Sequence, residues 1–386
     1  MFLTIISFLA VLSILVFAHE LGHFWVARKC GVKAEEFGLG FPPRFFGVYK
    51  DKDGKKKYIF GGKKVEEIPG TIYSLNYIPI GGFVKIKGEN GDEEKARDSF
   101  INHPIWQRIL ILSAGVTMNI VLAAVLFSFG FMFGLPQTVD GLDKNAKISD
   151  VQVQILQVLP ESPADRAGLR VSDVVFSVNG ENIINEEQLQ EITNNNTGNE
   201  VNYTIKRGKE NIDFKIIPEI IEETEKGGIG ISIASVGLAK YPWYLAIWEG
   251  IKTTIFLTWA ILVAFYGMIK GLIMGQGAGA ELAGPIGIAS LTGQFARMGI
   301  GYLLQFAALL SINLAILNFF PFPALDGGRV LFLIIEKIKG SPVKREVEAV
   351  IHNTGFIILM VLVLVVTFLD VAKFGDSFRA LWDKIF

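Results

Sequence analysis

Met1 to Ala18 carry no charged side chain, and the next five residues read His19-Glu20-Leu21-Gly22-His23. A run this apolar must be buried in lipid or in a large core. Ionisable groups at membrane depth are costly and mark function. On a helix His19 and His23 stand four apart on one face, with Glu20 beside them. Two imidazole ligands with an adjacent carboxylate make up the pattern of a zinc hydrolase.

The rest of the chain is equally unlike a soluble enzyme. It is 51% hydrophobic and 19% charged, with a mean hydropathy of +0.41. The net charge of -1 gives no reason to expect a nucleic-acid partner. Cys30 is the single cysteine, which excludes an intrachain disulfide and a Cys-based zinc site; it reads as a packing thiol. The apolar N-terminus lacks a basic leader and a small-residue cleavage site. It reads as a retained transmembrane helix closed by Arg28 and Lys29.

Segments 2–27, 106–134, 302–322 and 353–372 are long and apolar enough to span a bilayer. Between the first two lies a Gly-rich basic region. Its extended pieces are Thr71 to Ile78 and Gly82 to Lys87, and Gly81-Gly82 marks a turn or a close backbone approach. Lys50, Lys52, Lys55, Lys56, Lys57, Lys63 and Lys64 cluster there. They mark a cytoplasmic loop, a solvated β-turn, or both.

Residues 140–235 are polar. Pro160 to Leu169 reads as a turn and short helix, Ser172 to Gly180 as a strand ending in an Asn-Gly turn, and 201–208 with 211–217 as a hairpin. The string resembles a PDZ domain of the bacterial type, with Ser172 where a Gly is usual. Such domains add an extended peptide end to a sheet edge. Gly228, Ile229, Gly230 and Ile231 are the candidate carboxylate-binding loop, or else a Gly-containing final strand.

If Arg28 and Lys29 are cytoplasmic, 140–235 lies outside. The basic loop 337–345 then favours reading Trp243 to Met274, rich in Trp and Tyr, as interfacial or partly embedded; the alternative is a true span with a different orientation. Two histidines leave a catalytic zinc one protein ligand short. His103 and His352 sit at span boundaries. Asp326 is the better donor: Pro321 and Pro323 break the preceding helix, and Gly327-Gly328 allow close approach. Taken alone, Asp326 could instead cap the segment starting near Arg329.

Together Ala18 to His23, Gly81 to Lys85, the PDZ-like stretch, Gly284-Pro-Ile-Gly287 and Asn318 to Gly328 resemble the site-2 proteases. This is a family of intramembrane zinc metalloproteases (peptidase M50), and the regulator-of-sigma-E protease type is the nearest branch. In the second span Gly115-Val-Thr-Met-Asn119 carries Val116 where the family has Pro.

The resemblance implies Zn2+ on His19, His23 and Asp326, with Glu20 as general base and acid. It implies that Asn318 holds unwound substrate, although a bundle hydrogen bond would also explain that Asn. Gly82, Phe83, Val84 and Lys85 would pair with substrate.

The expected fold is a multi-pass α-helical membrane protein of about four transmembrane helices. It carries a cytoplasmic-side β element and one extracytoplasmic PDZ-like α+β domain. The segments are 1–139, 140–235, 236–300 (interfacial) and 301–386, the last ending in an amphipathic tail. The expected location is the cell's inner (plasma) membrane, with the zinc site toward the cytoplasm. Expected partners are a single-pass membrane substrate such as an anti-sigma factor or signal-peptide remnant, an upstream site-1 protease, and membrane lipid. The rival readings are a catalytically silent PDZ scaffold, which needs no such cluster, and a metal transporter, which usually shows repeated halves.

Overall fold

The computed structural model describes residues 2–62, 70–89, 96–140, 142, 144–208, 210–221, 226–275 and 284–382. Lys63 and Lys64 of the basic cluster, and the last four residues of the tail, lie outside these. Two compact units are present. One comprises Met1–Leu126, Ile251–Gly293 and Phe306–Phe386, the other Phe127–Gly250 and Gln294–Gln305.

The first unit begins with α1 (Phe2–Lys29), β1 (Ala34–Lys50), β2 (Lys56–Phe60), β3 (Ile72–Ile86) and most of α2 (Ile105–Phe133), whose last residues from Phe127 fall in the second. Nothing interrupts α1 until Gly31 turns the chain at a φ of 84°. The three strands form one antiparallel sheet in the order β2-β1-β3. Gly81, at a φ of 70°, lets β3 fold back. Both of its limbs then pair with β1: Phe37 is opposite Tyr73 and also opposite Val84.

Several contacts set this sheet along α1. Arg28 donates to the Tyr73 hydroxyl at 3.3 Å, and Ser13 donates to the Pro79 carbonyl at 3.3 Å. The Phe24 and Phe37 rings stack with centroids 4.7 Å apart. At 1.5 Å per helical residue, the fold-back beside Ser13 lies about 24 Å along α1 from its Lys29 end. The exposed side chains near it are apolar, including Leu39, Phe41, Leu75 and Ile78.

The second unit holds β4 (Leu135–Thr138), β5 (Lys147–Val158), α3 (Pro163–Ala167), β6 (Val174–Val178), β7 (Glu181–Asn182), α4 (Glu186–Asn195), β8 (Val201–Arg207), β9 (Glu210–Ile216), β10 (Glu219–Ile221), β11 (Lys226–Gly228) and β12 (Ile231–Lys240). Asn179 and Gly180 both take positive φ in the turn after β6. The main sheet runs β4-β12-β5-β6-β8-β9, with β7 on β6. Its core is aliphatic around the buried Tyr203, with Ile155, Val175, Leu189 and Ile205. Asp173, almost wholly buried, accepts Arg207 Nε at 2.8 Å and Nη2 at 2.7 Å. That bidentate charge-assisted pair ties β8 to the start of β6.

The chain then forms α5 (Trp243–Ile273), α6 (Pro285–Met298), α7 (Ile300–Phe319), α8 (Asp326–Lys339) and α9 (Arg345–Trp382). Among the described residues five helices are long and apolar enough to cross a membrane: α1, α2, α5, α7 and the 346–372 part of α9. This is one candidate more than the four crossings expected, by length and composition. The parity argument gave weight to basic loops and little to length, whereas α5 is one unbroken helix of 31 residues. Its Trp243, Trp248 and Trp259 are all more than half exposed.

Candidate metal centre

His19 and His23 lie on the buried face of α1, with 7% and 6% of their surfaces exposed. Asp326 begins α8. The cap position is Leu325, so Asp326 is not the helix cap. Its Oδ2 lies 3.1 Å from His19 Nε2 and 3.3 Å from His23 Nε2. The two Nε2 atoms are 3.2 Å apart. This triangle is the single group of three or more metal-ligating side chains found among the described residues. His103 and His352 are elsewhere: the first faces the Ser99 carbonyl at 3.0 Å, and the second accepts Ala324 N–H at 2.9 Å.

Three observations fit a divalent ion here. Asp326 Oδ2 is buried yet takes no hydrogen bond of acceptable geometry. The donor separations of 3.1 to 3.3 Å match the roughly 3.3 Å edge of a tetrahedron with bonds near 2.0 Å. Two imidazoles and one carboxylate are the ligand set that catalytic zinc sites use.

The surroundings turn both rings the right way. His23 Nδ1 donates to the Ile111 carbonyl at 2.9 Å, which leaves Nε2 as the lone-pair nitrogen. The side-chain amide of Asn119, fully buried in α2, lies 3.4 Å from His19 Nδ1. Its Oδ1 has no partner. Because the two ends of an amide are interchangeable in placement, turning it over satisfies Oδ1 with His19 Nδ1–H and frees Nε2 for the ion. Asn318 Nδ2 is 3.5 Å from His19 Nε2, so α7 reaches the same site.

Close helix approach makes this possible. A Cβ on Gly115 would fall 2.3 Å from His23 Nε2, and one on Gly22 would fall 2.3 Å from the Ala114 carbonyl oxygen. On the far side, Gly327 packs on the Phe319 carbonyl. Arg108 of α2 reaches Glu336 of α8 at 2.5 Å, fixing the helix that carries Asp326.

Glu20 projects beside the triangle. Its Oε2 accepts the Val84 N–H at 2.9 Å. Of the strand residues singled out above, Gly82 and Val84 adjoin Glu20. Lys85 instead pairs with Glu35 at 2.7 Å, with most of its side chain exposed. Gly228, Ile229, Gly230 and Ile231 belong to the second unit. They line a cavity of about 880 Å³ shared with the Glu187, Glu191 and Asn194 side of α4.

Gly115 and Asn119 are site residues that motif reading quoted without assigning them a contact. Their i, i+4 spacing was the available signal, since it puts both on one face of α2.

A family model described as Peptidase family M50 matches residues 7–362. The chain belongs to Peptidase family M50. The regulator of sigma-W protease RasP of Bacillus subtilis is 29% identical, over 96% of this chain and 98% of that one. The regulator of sigma-E protease RseP of Escherichia coli is 28% identical, over 95% and 98%. A Clostridium perfringens protein reaches 33% over 95% and 98%. Among solved structures, the PDZ domain of an SdrC-like protein from Listeria innocua covers 21% of this chain and 92% of that chain at 25% identity, with a TM-score of 0.20.

Proposed function

We propose that this M50 peptidase is a zinc-dependent endopeptidase that hydrolyses peptide bonds within transmembrane segments. The observation that carries this reading is the triangle of His19, His23 and Asp326 nitrogen and oxygen atoms with the Glu20 carboxylate beside it. His19, His23 and Asp326 would hold the zinc, which would supply Lewis acidity toward the scissile carbonyl and acidify the attacking water. Glu20 takes the proton from that water and returns it to the leaving amine. Asn119 and the Ile111 carbonyl keep the imidazoles turned inward. Asn318 holds the unwound substrate backbone, and the Gly82 to Lys85 limb of β3 pairs with it. Edge pairing suits the task, because a helical segment must be opened before its peptide bonds can be reached.

The names of RasP and RseP, regulators of sigma factors, favour single-pass membrane substrates such as anti-sigma factors. Arg28 and Lys29, at the end of α1, favour a cytoplasmic-side zinc site in the inner membrane, with the second unit on the outer side. We read that unit as PDZ-like. Its α4–β12 cavity would take a peptide end, and its bulk would exclude substrates not yet trimmed by a site-1 protease. A silent scaffold is disfavoured, since it has no use for four converging ionisable groups.

Purified protein is expected to hold one zinc per chain, to lose cleavage of a model transmembrane substrate on chelation, and to regain it with added zinc. Unchanged cleavage by zinc-free protein would sink the reading.

A further inference from the structure

Where α1 ends, the sheet and the helix enclose a cavity of about 580 Å³ in the first unit. Arg28, Lys33, Lys50 and Lys56 line it, together with Tyr49 and Tyr73. No carboxylate lines it among the described residues. The catalytic reading makes no use of this cavity. We infer that it binds the phosphate headgroup of an anionic phospholipid.

The strand register is the first argument. Lys50 and Lys56 are directly opposite each other across the β1–β2 hairpin. Directly opposed residues put their side chains on the same face, where like charges repel. An anion seated between them converts that repulsion into two attractions. Arg28 is fixed at the cavity wall by its bond to the Tyr73 hydroxyl and by its position over the Phe24 ring, 5.4 Å from the centroid. Among the described residues the guanidinium is thus oriented by aromatic groups and not by an acid. A planar fork held this way suits phosphate oxygens.

Depth is the second argument and selects a lipid over a free anion. Trp25, one turn before the cavity, is 52% exposed. The Lys29 ammonium lies over its ring, 4.0 Å from the centroid. An exposed Trp with a cation at the end of an apolar span marks the headgroup level of a bilayer. The cavity therefore opens where lipid phosphates are, and anionic lipids accumulate at basic clusters there. The inference rests on α1 spanning the membrane and is independent of peptide hydrolysis.

The test uses full-length protein in lipid nanodiscs of mixed phosphatidylglycerol and phosphatidylcholine, with bound lipid counted by native mass spectrometry after release. Wild type should retain phosphatidylglycerol preferentially. The Lys50→Gln, Lys56→Gln double variant should lose at least roughly tenfold in that retention, at about fivefold per charge. The corresponding double Arg variant should keep it, which separates charge from fold. Equal retention by wild type and the Gln variant overturns the proposal. So does an absence of headgroup preference in wild type. Displacement of the lipid by millimolar inorganic phosphate would also overturn it, by assigning the cavity to a soluble anion.

Discussion

A Glu20→Gln chain is expected to keep its zinc and to cleave its substrate about 10²- to 10⁴-fold more slowly, the usual contribution of a positioned general base. Gln has the same shape, and its carbonyl oxygen can still accept the Val84 N–H that Glu20 accepts at 2.9 Å. What disappears is the ability to take a proton from water and pass it to the departing amine. Metal content measured beside the rate separates this from collapse of the site. A wild-type rate in the Gln variant would remove Glu20 from the mechanism. A lost metal would make it a structural residue.

The second large effect comes from one carbon atom. Ala at position 115 would put its Cβ 2.3 Å from His23 Nε2 and 2.7 Å from His19 Cε1. The helices cannot separate cheaply to make room, because the adjoining crossing is already tight. A Cβ at Gly22 would meet the Ala114 oxygen at 2.3 Å and the Gly115 Cα at 3.0 Å. The histidines must turn instead, and His23 then surrenders its bond to the Ile111 carbonyl. Loss of such supporting contacts usually lowers metal affinity 10- to 100-fold. Gly115→Ala should lose at least about that much, with activity falling in parallel. Gly267→Ala is the matched control: that glycine of α5 has nothing within 4 Å of where a Cβ would be, so zinc affinity should not change. Wild-type zinc affinity in Gly115→Ala would show that the α1–α2 approach does not shape the site.

The candidate ligands were legible because their signals are local. His19 and His23 declare a shared helical face by spacing alone. Asp326 stands out as a carboxylate between a proline-broken helix and two glycines. The hairpin of β8 and β9 was readable from its alternation, and the turn after β6 from Asn179-Gly180. What stayed hidden depends on distant pairings. No local pattern says that β1 accepts two limbs of one strand, or that β12 lies between β4 and β5. The contact of Asn119 with His19 requires two helices to cross at their glycines, which a string in one of them does not reveal. The number of crossings is not legible from either signal alone, for a related reason. Loop charge informs on orientation, whereas the 31 residues of α5 inform on reach, and the two need not agree.

The Val84 N–H bound by Glu20 also fixes a unit of translation. On a strand edge, outward-facing amides recur at every second residue, about 6.8 Å apart. A substrate strand docked on β3 keeps its hydrogen bonds and its facing side chains only if it slides by two residues at a time. Catalysis tied to this edge is therefore digital in position. Minor products should flank the main cut at plus or minus two residues, as read by mass spectrometry of the released fragments. A ladder with comparable one-residue steps would mean that the substrate does not lie on this edge.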